Sequence, residues 1–160
     1  MNNSIIYRTH YVISDFCISN ADIPKKVADA ILLYHLLPMN AVSDAVDFDV
    51  YPSYSVKHQP SGWRPYVWEI ARGRNGKSEH TFGQRKTQII PNQKGALDIT
   101  CENFQENKSK LLEALIENTE YLRFAVYDTF IHADYKDTHN GRRLLFTSTK
   151  SSKWTFVKFV

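Results

Sequence analysis

Residues 123–136 read RFAVYDTFIHADYK. Two runs rich in β-branched and aromatic residues stand back to back here, RFAVYDT and FIHADYK, and each predicts a strand. Successive side chains of a strand face opposite ways, so within FIHADY the pair His132 and Asp134 shares one face while Ile131 and Ala133 enter the other layer. The strand pattern continues downstream through RRLLFTST and KWTFVKF, with THNG as a hairpin turn between the second and third strands. Upstream, GALDITC predicts a short buried strand in which Asp98 faces away from Leu97 and Ile99. A carboxylate in such a place is costly unless it is paired or holds a cation.

The segments between and before these strands are helical. Residues 102–122 place Leu111, Leu112, Leu115 and Ile116 on one face, with Asn103 or Asn107 as the cap. Residues 20–40 repeat apolar positions at Val27, Ala28, Ile31, Leu32 and His35 or Leu36, with Pro24 in the tolerant first turn and Pro38 as the stop. Beyond it, residues 41–56 predict a short continuation and then a strand around Phe48 to Tyr54. An extended opening over IIYRTHYVI, a turn at Ser61-Gly62, a short helix from about Pro65 to Ala71, and a long turn-prone excursion from Gly83 to Gly95 with a brief strand at Ile89-Ile90 complete the chain. Helices first and an antiparallel meander last predict an α+β fold: residues 1–160 as a single domain, an antiparallel sheet with helices packed on one side.

Composition bounds the functions open to such a domain. At 160 residues, with 42% hydrophobic and 13% aromatic content, the chain can bury a core. The formal charge of +3 is mild, and its Lys and Arg are scattered, so no nucleic-acid footprint is expected. Cys17 and Cys101 allow one bridge or two partly buried thiols. No run reaches the ~20 apolar residues of a membrane span. The first residues lack a signal-peptide pattern, so the expected location is cytoplasmic until release or carriage by a virion.

Two imidazoles and one carboxylate, with a fourth position for water, are the ligand set of an open catalytic zinc site. In a chain with six histidines that trio does not by itself single out a site. His10, His35, His58 and His139 have no comparable partners and read as structural or exposed.

The order of four motifs adds what spacing does not. SGWRP (61–65), SEHTFG (78–83), GALDIT (95–100) and FIHADY (130–135) together resemble the zinc peptidases that cut D-alanyl-D-alanine or L-alanyl-D-glutamate bonds in peptidoglycan, whose scaffold is shared with hedgehog signalling domains. The resemblance runs from ISDFC onward. It implies a hedgehog/DD-peptidase-like fold, Zn2+ as cofactor, and His80, Asp98 and His132 as its ligands. It also implies Arg64 beside the substrate, where a fixed cationic fork suits an oxyanion or a carboxylate; a salt bridge to Glu69 is the plainer reading. Ser78 would brace its loop. Trp63, Tyr66, Trp68 and Phe82 flank the motifs, as cleft walls or as core.

Two departures from the family pattern stand out. His80 and Asp98 are eighteen positions apart, with residues 84–94 as an apparent insertion, read as a surface lobe at the rim of a cleft or as an insertion without function. Loop closure over the longer span costs little, about 0.6 kcal/mol per doubling. Several branches also carry an acid three residues before the last histidine, where this chain has Thr129. Asp134 or Asp128 is then the general base, Asp134 being favoured, with support of a ligand as its other role. The resemblance implies a peptidoglycan stem peptide as substrate in cell-wall lysis or remodelling, as by a phage endolysin, with virion or tail proteins as further partners. A non-catalytic zinc-binding or virion-assembly module on the same scaffold is the alternative, and a zinc-free effector-binding protein a third reading.

Overall fold

The computed structural model describes residues 10–18, 22–55, 59–60, 62–86, 88–149 and 153–160. The opening run 5–9, His58 and Ser61 lie outside them. A 3-10 turn at Ile13–Phe16 leads into a helical rod made of α1 (Lys25–Ile31), a π turn (Leu32–Leu36) and α2 (Leu37–Ala45). Three short strands follow, β1 (Val50–Pro52), β2 (Tyr54–Ser55) and β3 (Gln59–Pro60), then α3 (Tyr66–Ala71) and the small hairpin of β4 (Gln84–Arg85) and β5 (Gln88–Ile89). The rest is β6 (Ala96–Cys101), α4 (Phe104–Asn118), β7 (Arg123–Val126), β8 (Ile131–Asp134), β9 (Leu144–Thr147) and β10 (Thr155–Phe159). The fold is α+β, as the sequence predicts.

Pro38 does not end the first helix. A proline inside a helix withholds its N–H from the carbonyl four residues back, here that of Tyr34. The π turn places the helix's irregularity just before the proline, and the Tyr34 carbonyl accepts the Tyr135 hydroxyl at 2.8 Å instead. The rod therefore runs on to Ala45, where sequence reasoning allows only a short continuation.

Six strands form one sheet in the order β1-β6-β8-β7-β9-β10. The meander is only partly realised. The β7–β8 pair is an antiparallel hairpin, but β9 crosses over to pair with β7 in parallel, so THNG is not a hairpin turn. Asn140 and Gly141 do turn the chain there with positive φ, but the strands they join are not neighbours. Asn103 sits at the start of α4 in a left-handed conformation without a side-chain cap, and Asn107 lies within the helix.

The sheet has two unlike faces. Leu97, Ile99, Phe124, Ile131, Ala133 and Leu145 are buried in one cluster with Val27, Ile31, Met39 and Val42 of the rod and with Leu111 and Leu115 of α4. Burying such side chains is worth about 1.5–3 kcal/mol each. The other face carries Asp98, His132 and Asp134. Cys17 and Cys101 are buried, unbridged thiols, and burial pushes them up to about 12 and about 11. Among the described residues no helix is long and apolar enough to cross a membrane.

His35 ties rod, excursion and sheet together. Its Nε2 donates to the Lys94 carbonyl at 2.7 Å, and its Nδ1 accepts the Tyr121 hydroxyl at 2.8 Å. Burial lowers its pKa to about 3. Because that lies below the free value of about 6.5, its contribution to stability is complete above pH ~6.5 and is lost as pH falls toward 3, at up to about 1.4 kcal/mol per pH unit. An imidazole NMR titration should find His35 neutral at pH ~4.5; protonation near pH ~6 would contradict this arrangement.

Candidate metal centre

The segment Gly62 to Arg64 is threaded between two others. Trp63 bridges Cys17 in parallel, donates its N–H to the Phe16 carbonyl at 2.6 Å, and accepts the Ile18 N–H at 3.2 Å. Gly62 fits because a Cβ there would lie 2.0 Å from the Phe16 carbonyl oxygen. On the other side Arg64 donates its N–H to the His80 carbonyl at 2.8 Å, and the Trp63 indole donates to the Phe82 carbonyl at 2.9 Å. These bonds seat the SGWRP and SEHTFG motifs against each other.

The excursion after Gly83 is closed at its base, which is how His80 and Asp98 meet across eighteen positions. Ile90 donates to the Gly83 carbonyl and Gly83 to the Gln93 side chain, each at 2.8 Å. Gly95, at φ +79°, returns the chain where a Cβ would meet the Phe82 ring. The β4–β5 hairpin borders a groove of about 520 Å³ whose lining includes Ser78, Thr81, Lys94 and Tyr135. The expected brief strand is there, one residue early, paired with β4.

Strand register does the rest. Asp98 lies directly opposite His132, and Ala96 opposite Asp134. One oxygen of Asp98 is 2.8 Å from His132 Nδ1 and 3.3 Å from His80 Nε2. His80, Asp98 and His132 thus form a three-residue group able to hold a metal ion, their ligand atoms all within 4.8 Å of one another. Each imidazole is oriented by its other nitrogen. His80 Nδ1 donates to the Gly62 carbonyl at 3.0 Å, and His132 Nε2 faces Asp134 at 3.0 Å. Such outer hydrogen bonds fix the tautomer and leave the remaining nitrogen for a metal.

The electrostatics follow from burial and charge together. Burial pulls His80 down, partly offset by Asp98. Burial would also lower His132, but its hydrogen bonds to Asp134 and Asp98 outweigh this and carry it up to about 9. Burial opposes the charge of Asp98, yet the two histidines hold it well below the usual carboxylate range.

Arg64 lies against the group. Its guanidinium is 3.5 Å from Asp98 and 3.5 Å from Glu69, so the plainer Glu69 pairing and a place beside the triad are both present. Glu69, buried, also binds Arg74 at 3.0 Å. Asp134 is 0% exposed, and its two oxygens accept Arg123 Nε at 2.8 Å and Nη2 at 2.6 Å, as well as the Lys136 N–H. Asp128 is not brought into the group. It stands exposed in the β7–β8 turn, off both strands, where its backbone carbonyl accepts the Gln105 side chain. Ser78 Oγ accepts the His80 N–H at 3.3 Å, the expected bracing. Trp63 and Phe82 are core, and Trp68 stacks under Arg72 at 3.6 Å.

The chain matches no protein-family model, no curated protein and no solved structure.

Sequence reasoning misses two neighbours. Arg123 lies opposite Asp134 in the β7–β8 register, and the four-residue connection YDTF centres the hairpin so that these two pair. Trp154 comes from a segment with no motif. Its ring is 5.2 Å from that of His132, it lies beneath the Arg123 guanidinium, and its N–H donates to the Tyr127 hydroxyl at 2.7 Å.

Proposed function

We propose that this chain is a zinc-dependent peptidase acting on a peptide bond of bacterial peptidoglycan, in the family that its four motifs resemble. The observation that carries the reading is the convergence of ligand atoms of His80, Asp98 and His132 within 4.8 Å of one another, with Asp98 Oδ1 3.3 Å from His80 Nε2 and 2.8 Å from His132 Nδ1 and each imidazole held by a bond at its far nitrogen. Two imidazoles and a carboxylate match the donor set of an open zinc site. Zinc held there would polarise the scissile carbonyl and lower the pKa of a bound water toward about 7. Arg64, 3.5 Å from Asp98, stabilises negative charge developing on the carbonyl oxygen. Asp134 orients His132, and the Arg123 fork holds Asp134 ionised.

A second reading, a zinc-binding structural or virion-assembly module without catalysis, is favoured by two observations. The oxygens of Asp134 already accept Arg123, His132 and a backbone N–H, and Thr129 stands where several branches of the family carry an acid. Metal analysis joined to mass spectrometry of digested muropeptides separates the readings. About one zinc per chain with a cut stem peptide supports the peptidase; the same zinc with intact crosslinked and uncrosslinked muropeptides supports the module. Absence of bound zinc rejects both.

A further inference from the structure

One row of the sheet runs straight across five strands. Asp98 is opposite His132, His132 opposite Ala125, Ala125 opposite Phe146, and Phe146 opposite Phe156. Residues directly opposite share a face, so Asp98, His132, Phe146 and Phe156 lie on the same side of the sheet, opposite the face packed on the rod and α4, at roughly 4.8 Å per strand. The aromatic contacts are continuous along this line. The ring of His132 is 5.2 Å from Trp154, Trp154 is 5.2 Å from Phe146, Phe146 is 5.9 Å from Phe156, and Phe156 is 5.2 Å from Phe159.

The far end of this strip is open. Phe156, Val157 and Phe159 are 48%, 47% and 39% exposed on the edge strand β10. Contiguous exposed apolar surface on an edge strand is a hazard that marks an interaction site when it persists. The Arg142 guanidinium lies 3.4 Å from the centre of the Phe159 ring, and Lys153, next to Trp154 in the chain, is exposed, whereas Lys158, opposite Leu145, is on the helix-packed face. The surface is therefore apolar along its length and set with hydrogen-bond donors and positive charge.

We propose that this strip binds the glycan strand of peptidoglycan, seating the C–H faces of its sugar rings on Trp154, Phe146, Phe156 and Phe159 while the attached stem peptide reaches the metal centre. The proposal rests on the peptidase reading for its choice of ligand. A pyranose ring has C–H groups on its faces and hydroxyls around its rim, which matches aromatic carbon flanked by Lys and Arg donors. Nucleic-acid bases fit less well: adjacent rings of the strip are inclined at 44°, 72° and 63°, an edge-and-face surface instead of parallel plates for successive bases.

The test is a titration of the zinc-loaded chain with chitohexaose, a β-1,4-linked N-acetylglucosamine oligomer, read by tryptophan fluorescence and by calorimetry. Saturable binding is expected, with Phe156→Ala and Phe159→Ala each weakening it about tenfold while melting temperature and metal content stay unchanged. Both side chains are exposed, so both variants should fold. Absence of saturable binding overturns the proposal, as does equal binding by the variants. So does tighter, Phe156-dependent binding of an oligothymidylate, or a dimer that Phe156→Ala dissolves. Cleavage of free stem peptide without chitohexaose binding removes the strip and spares the peptidase. Strip-dependent binding without any cleavage does the reverse.

Discussion

His80→Ala and His132→Ala should each abolish the stoichiometric zinc proposed for this site, lowering affinity more than about 100-fold, because even the partners that merely orient a ligand are worth about 10–100-fold. On the proposed peptidase reading, muropeptide cleavage should be lost with it. The two variants differ in a second property. His132 donates to both Asp98 and Asp134, so its loss leaves two buried carboxylates each short of a partner, and His132→Ala should also lower the stability of the metal-free protein. His80 reaches Asp98 at a longer 3.3 Å, and its other bond is to a backbone carbonyl, so His80→Ala should cost less in the metal-free state. His139→Ala is the control for zinc, since His139 is exposed and not a member of the group. Elemental analysis and urea unfolding with and without chelator read both effects. Unchanged zinc content in either ligand variant rejects the ligand set.

The triad was legible because it depends on two local rules. Alternation along a strand puts His132 and Asp134 on one side and separates Asp98 from Leu97 and Ile99, and a motif order supplies the partner strand. What the sequence did not disclose depends on register and crossing. Whether β9 pairs with β8 or with β7 is not written in THNG, which turns the chain equally well in either case. Pro38 misleads for a related reason: a proline need not end a helix where a π turn makes room for its ring and the carbonyl it deprives finds another donor, and Tyr135, 101 positions from Tyr34, supplies one. Arg123 was readable in principle from the short β7–β8 connection, which centres the hairpin. Trp154 was not, because it reaches His132 only through the crossover that sets β9 beside β7, with β10 paired outside it.

The sheet's division of labour explains why so much charge is tolerated in its middle. β8 is the central buried strand, all four of its residues buried, yet two of them are His132 and Asp134. An ionised carboxylate there is tenable only if every partner is supplied. Asp98 draws on His80, His132 and Arg64; Asp134 draws on His132, Arg123 and Lys136. The shared member is His132, so the metal group and the Arg123 pair form one network in which a change at either end is felt at the other.

Arg123→Met should therefore lower the unfolding free energy of the metal-free protein by about 3–5 kcal/mol, the usual cost of removing one partner from a buried ion pair. The substitution keeps an apolar stem against Trp154 and removes both charge-assisted bonds to the buried Asp134 carboxylate. The sign with pH follows from that carboxylate. Burial alone would raise its pKa, but the bonds from His132 and Arg123 depress it, so its stabilisation is present above the unfolded value of about 3.9 and is lost as pH falls through the folded one. The gap between wild type and Arg123→Met should accordingly be full at neutral pH and shrink as pH falls below ~4, closing only once the pH is under the depressed wild-type pKa and the carboxylate is protonated in both. Arg123→Met with Asp134→Asn removes the stranded charge as well, and should lose less than the sum of the two single changes. Zinc affinity in Arg123→Met should fall about 10–100-fold, because an Asp134 free to move no longer fixes the His132 ring. A single variant within about 0.5 kcal/mol of wild type at neutral pH, the range of an ordinary surface change, would show that Asp134 does not depend on Arg123 and that the network ends at His132.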